Sequence, residues 1–137
     1  MHKLLSTIAL LGASSLANAA DLTINFNDIQ TQKGELYVVM YNSEVQFKTA
    51  KDAFYENLIK VTHTTHSITV NNVPNGDYAV MVFQDLNNNQ KLDTNMLGIP
   101  KEPYGFSNNP TLYGPPNYQA LKFAMTEQAQ TIDIRVE

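Results

Sequence analysis

Apolar and polar residues alternate along residues 22–28 (LTINFND) and again along 131–136 (TIDIRV). A period of two is the pattern of a strand with one face on a core and the other in water. These segments are predicted to be the first and last strands. Residues 36–41 and 78–83 are apolar on both faces, as expected of central strands covered on both sides. Between them Phe47, Ala50, Phe54 and Leu58 recur at steps of three and four, and Thr49 with Asp52 makes a capping-box pattern, so a short helix is predicted from about residue 50 to 57. Residues 58–64 and 67–73 read as further strands, and Pro74-Asn75-Gly76-Asp77 is a turn signal that predicts a hairpin into the strand at Tyr78. Leu121, Phe123 and Met125 alternate once more within residues 120–125.

About seven strands, one short helix and tight turns predict an all-β fold, an antiparallel two-sheet sandwich with Greek-key connections. An up-and-down barrel is the main competitor. The pattern fails over residues 85–119, a connection far longer than the roughly 4–6 residues usual in compact domains. Such a loop must be held in place by chemistry of its own.

The start of the chain reads as a secretory signal over residues 1–19: Lys3, an apolar run, then Ala17-Asn18-Ala19 as an A-x-A cleavage site. Its apolar part is too short to span a bilayer, and no transmembrane segment is predicted. Cleavage after Ala19 would leave 118 of the 137 residues, enough for a single sandwich domain over residues 20–137. It would also leave eight cations against thirteen acids, a net charge of −5. That balance argues against nucleic acid or anionic lipid as a main partner. With no cysteine there is neither a disulfide nor a lipid-modified N-terminal Cys. The expected location is periplasmic or secreted.

Asp85, Asn87, Asn89 and Asp93 place oxygen-bearing side chains at positions 1, 3, 5 and 9 of a calcium-loop pattern, with the Lys91 carbonyl at position 7. Ca²⁺ needs six to eight oxygens, which alternate residues of a curled loop can supply. Two defining positions depart: Gln90 stands where Gly is usual, and Met96 where a bidentate Glu is usual. Any Ca²⁺ affinity is therefore expected in the weak, ~0.1–1 mM range of extracellular modules. Asn95 or Glu102 could complete the shell if the loop folds back. The competing reading is a run of Asx turns with no ligand, since Asp and Asn side chains cap their own backbone.

Glu102, Tyr104, Phe106, Tyr113 and Tyr118 lie among Gly, Pro and Asn and form a candidate platform for a small molecule, a glycan or a protein. The plainer reading is that these aromatics fold back over a sheet face. His63 and His66 would be cross-strand neighbours if Thr64-Thr65 were a two-residue turn, and two such imidazoles can bind a transition metal. No catalytic residue is predicted: Ser107 is not in a G-x-S-x-G elbow. Acid–base work by Asp85 with Asp93 or Glu102 would need these carboxylates on one cleft floored by the tyrosines.

The run Gly76-Asp77-Tyr78-Ala79-Val80, then Asp85-x-Asn87-x-Asn89-x-x-Leu92-Asp93-Thr94-Asn95, then Gly98-Ile99-Pro100-x-Glu102-x-Tyr104-Gly105-Phe106-Ser107-Asn108 resembles the uncharacterised exported bacterial proteins of domain-of-unknown-function family 2141. The resemblance spans nearly the whole mature chain. It implies an immunoglobulin-like or prealbumin-like sandwich and brings no established activity. Members often have Gly at the position of Gln90, and Gly eases the positive φ that such turns require. Three functions follow as expectations: a non-enzymatic exported binding or accessory module with a Ca-loop-like site, an enzyme on a small molecule or glycan, and a structural protein-interaction domain.

Overall fold

A computed structural model describes residues 18–137. The predicted export signal lies outside the described residues except for its last two. Eight strands and two short helices follow in the order β1 (Ala19–Asn27), β2 (Glu35–Tyr41), α1 (Glu44–Thr49), β3 (Tyr55–Lys60), β4 (His66–Pro74), β5 (Gly76–Asp85), β6 (Tyr104–Phe106), α2 (Tyr118–Leu121), β7 (Phe123–Met125) and β8 (Gln130–Arg135). The strands form two sheets, β4-β1-β8 and β3-β2-β5-β6, with β7 paired to the start of β5. This is the expected all-β sandwich. Neighbours run antiparallel except β1 and β8, which are parallel with Leu22 opposite Gln130.

The alternation read from the sequence decides what is buried. Leu22, Ile24 and Phe26 of β1 and Leu36, Val38 and Met40 of β2 are fully buried, and with Val80, Val82, Ile134 and Val136 they fill the space between the sheets. Each large side chain of this kind contributes about 1.5–3 kcal/mol by leaving water. One side of the sandwich is closed as well: the backbones of Tyr104 and Glu137 exchange hydrogen bonds of 3.2 and 3.1 Å, so β6 is stitched to the end of the β8 chain. Gly105 permits that approach, because a Cβ there would lie 2.1 Å from the Arg135 carbonyl oxygen.

Three local expectations are corrected. The helix is residues Glu44–Thr49, not 50–57. Ser43 caps it by accepting from the Gln46 N–H, and Ala50, in the left-handed region with φ 50°, ends it where the prediction began it. Residues 55–60 are instead an edge strand on β2. The turn at Asn75 is real, but it joins two sheets instead of making a hairpin. β4 pairs with β1 and β5 with β2, because Val73 and Tyr78 are both needed in the core on either side of a turn too short for a paired two-residue loop. Residues 120–125 divide into the last turn of α2 and a three-residue β7.

A second apolar cluster lies on the outer face of the larger sheet. Ala79, Phe106, Tyr118 and Leu121 are buried there, with Phe47, Met81, Tyr104 and Leu112 packed against them. Helices α1 and α2 and the loop between β6 and α2 thus cover a sheet face that water would otherwise reach. That covering explains why β5 is apolar on both faces.

Candidate functional site

Asp85 ends β5 fully buried. Its Oδ1 accepts the Asn89 N–H at 3.1 Å and its Oδ2 the Gln90 N–H at 2.7 Å, so the chain curls around the carboxylate. The next two alternate residues continue the curl as Asx turns: Asn87 Oδ1 accepts from Asn89 N at 3.2 Å, and Asn89 Oδ1 from Lys91 N at 3.0 Å. Their amide NH₂ groups both donate to the Asp93 carboxylate. Side chains at positions 3, 5 and 9 of the calcium-loop pattern therefore meet at one point. Asn88 and Gln90 hold φ of 56° and 59°. Gln90 thus adopts the left-handed conformation for which Gly is usual, at a cost of about 1–2 kcal/mol that the curl must offset.

The loop does fold back. Lys101 N donates to the Asp93 carbonyl at 2.8 Å and Asn95 N to that of Ile99 at 2.9 Å, which makes a small hairpin with its tip at Gly98. Asn95 is spent on that tip: its Oδ1 accepts from Leu97 and Ile99 N–H groups. Met96 at position 12 is fully exposed. Glu102 comes to the base of the loop instead, nearly buried, with Oε1 accepting from Leu86 N at 3.0 Å and Oε2 from Asp93 N at 3.1 Å. Both ends of the loop therefore hang on one carboxylate. The two ion pairs of the described residues, Lys48–Glu44 and Lys122–Asp77, lie elsewhere, so no Lys or Arg pairs with Asp85, Asp93 or Glu102. Among the described residues no three His, Cys, Asp or Glu side chains group closely enough to hold a metal on their own. A cation here would depend on Asn and backbone oxygens as much as on carboxylates.

The arrangement is unsuited to the acid–base chemistry considered for these carboxylates. Both oxygens of Asp85 and both of Glu102 accept backbone N–H groups, and proton transfer would break charge-assisted bonds that hold the loop. Neither residue lines the aromatic cleft.

That cleft gathers two of the five platform residues. Tyr104 and Phe106, with ring centroids 5.5 Å apart and edge to face, line a cavity of about 150 Å³ together with Asn109, Leu112, Arg135 and Glu137. Tyr118 is buried in the second cluster, and its hydroxyl donates to the Asp77 carbonyl at 2.9 Å. Burial, then the nearby Asp77 charge, pushes its phenol above the ordinary value. Tyr113 is fully exposed and does not line the cleft. The remaining platform residue, Glu102, serves the loop.

Ser107, Asn108 and Asn109 were not read from the sequence as builders of this wall. Ser107 Oγ accepts from Val80 N and donates to the Leu121 carbonyl; Asn108 Nδ2 donates to Lys122 O; Asn109 Nδ2 donates to Asp133 O and its Oδ1 accepts from Arg135 N. One short run ties β6 to β5, α2 and β8. The signal available was two consecutive Asn residues, a type that tolerates the left-handed φ of 67° and 42° found there. Arg135 could be read only as an outward residue of the last strand.

The His63 and His66 rings do lie close, with centroids 6.0 Å apart, but not as the expected cross-strand neighbours. β3 and β4 belong to different sheets, and His66 Nε2 already accepts the N–H groups of Thr62 and His63 at 3.2 and 3.3 Å, so its lone pair is taken. Among the described residues no helix is long and apolar enough to cross a membrane.

Residues 24–133 match the family described as "Uncharacterized protein conserved in bacteria (DUF2141)". No curated protein and no solved structure matches the chain.

Proposed function

The chain belongs to the uncharacterised bacterial family DUF2141, and from that premise we propose that it is an exported, non-enzymatic binding or accessory module whose residues 85–93 hold Ca²⁺ weakly. The observation that carries this reading is the convergence of Asn87 and Asn89 on Asp93 above the buried Asp85, with Gln90 bent into the conformation of a calcium-loop glycine. The lack of a cationic partner for the three carboxylates among the described residues supports it. Ca²⁺ would replace the amide hydrogens now on Asp93, after the two Asn amides turn their oxygens inward. With Glu102 fixing both loop ends, the bound ion would stiffen the hairpin and the aromatic segment behind it. Calorimetric titration is expected to give one site with Kd of ~0.1–1 mM, lost in Asp93→Ala. No heat at millimolar Ca²⁺ rejects the metal.

A second reading, a protein-interaction sandwich, is favoured by the hairpin tip. Met96, Leu97 and Ile99 stand 103%, 84% and 56% exposed on a hydrogen-bonded turn, and adjacent apolar side chains so presented are a docking feature. A second copy is the simplest partner to test. Sedimentation equilibrium should show concentration-dependent association that Leu97→Ser abolishes. A chain monomeric at all concentrations counts against self-association through the tip.

A further inference from the structure

The Tyr104–Arg135 cleft carries a guanidinium that neither the loop nor the core uses. Arg135, the last residue of β8, and Glu137 just beyond it are exposed, alternating with buried Ile134 and Val136, so both face outward beside the Tyr104 ring. The Arg135 guanidinium has no ion pair and makes no hydrogen bond within the described residues; only its backbone N–H is engaged, by Asn109. An unpaired guanidinium next to an aromatic ring is a ready donor to a carboxylate, which it can grip with two parallel N–H bonds. The partly exposed Tyr104 ring suits the C–H face of a sugar ring, with Phe106 buried behind it in the second cluster. Glu137, on the same rim, suits hydroxyl donors and disfavours a simple dianion. The walls are fixed, since Asn109 is held to Asp133 and Arg135 and Ser107 to Val80 and Leu121. At about 150 Å³ the cavity is below the ~300 Å³ of drug-sized sites, so it admits one ring and not an extended ligand.

We propose that this cleft binds a hexuronate, a sugar ring bearing one carboxylate, with the carboxylate on Arg135, hydroxyls on Glu137 and the ring against Tyr104. The proposal rests on the binding-module reading but not on its cation. The ligand's source is either a free monosaccharide or the end residue of an acidic glycan, and two probes distinguish them.

The test follows backbone amide shifts of the protein titrated with D-glucuronate, a uronate disaccharide and D-glucose. Glucuronate should move the amides of Gly105, Phe106, Asn109 and Arg135 with millimolar affinity, and glucose should bind about tenfold or more weakly. Tighter binding of the disaccharide identifies a glycan end as the source, and equal or weaker binding a free sugar. Arg135→Gln, at an exposed position, should lose the glucuronate response about tenfold or more while keeping the wild-type melting temperature and the wild-type response to Ca²⁺. Arg135→Lys should recover part of the affinity. The proposal is overturned if glucuronate leaves these amides unmoved, if glucose binds as well, or if Arg135→Gln binds glucuronate like the wild type. A missing Ca²⁺ response with glucuronate binding intact would reject the metal reading alone.

Discussion

Gly34→Ala is expected to lower stability by about 2–5 kcal/mol. Gly34 holds φ of 71°, and a Cβ placed on it would lie 2.0 Å from the Asp85 carbonyl oxygen, a backbone atom that cannot swing away. The left-handed conformation alone costs a non-glycine residue about 1–2 kcal/mol, and forcing an extra carbon into packed structure about 1–3 kcal/mol more. Relief would require β2 to separate from the end of β5, where Glu35 pairs with Asp85. The disturbance would therefore reach the root of the Asx loop. Urea unfolding checks this: with a slope of ~1–3 kcal/mol/M, the midpoint should fall by about 1 M or more. A midpoint within error of the wild type would show that Gly34 and Asp85 are not in that contact.

Asp85→Ala is expected to cost about 2–4 kcal/mol. Two backbone N–H groups lose a charged acceptor, and each buried donor left unmade costs roughly 1–3 kcal/mol. Asn89 and Gln90 are exposed residues, so water recovers part of that loss. Asp85→Asn keeps the shape and one acceptor oxygen and should lose about half as much. The local readout is more specific than the global one: hydrogen exchange at Asn89 and Gln90 should accelerate strongly in Asp85→Ala, while β1 and β2 amides change only with global stability. Unchanged protection at those two amides would mean that the carboxylate does not organise the loop.

Much of the sandwich was legible because its strands obey a period of two against a single core. LTINFND placed Leu22, Ile24 and Phe26 inside, as found. The failures have two causes. The capping box was assigned to Thr49 and Asp52 because Phe47, Ala50, Phe54 and Leu58 step like a helix face, whereas Ser43 with Gln46 is the cap that formed. Phe47 packs on the second cluster and Phe54 on the main core, while Ala50 and Leu58 are exposed, so the helical spacing matches no single buried face. The hairpin at Asn75 failed for a different reason: turn chemistry fixes a chain reversal but not whether the two strands share a sheet. Pairing is set by long-range partners, Ala19 and Ala20 for β4 and β2 for β5.

The candidate site was legible in its ligands and not in its second half. Alternate Asp and Asn residues announced the curl, and Glu102 was available as a folded-back carboxylate because Met96 could not serve. The cleft was only half visible, since Tyr104 and Phe106 belong to a pattern of aromatics while Arg135 reaches them through a pairing between β6 and the last strand, about thirty residues away in sequence. Tyr113 and Tyr118 matched the pattern equally well. One faces solvent and the other was needed to cover the larger sheet.

Residues 85–93 are proposed as a weak cation loop that steadies the segment after it. Thermal melts of the protein in ~10 mM Ca²⁺ and in chelator test it most directly. A site with Kd of ~0.1–1 mM should add about 1.4–2.7 kcal/mol by mass action, a rise in Tm of roughly 5–10 °C for a domain of this size, absent in Asp93→Ala. Identical melting temperatures in Ca²⁺ and in chelator would contradict the claim and leave the loop as a set of Asx turns closed upon themselves.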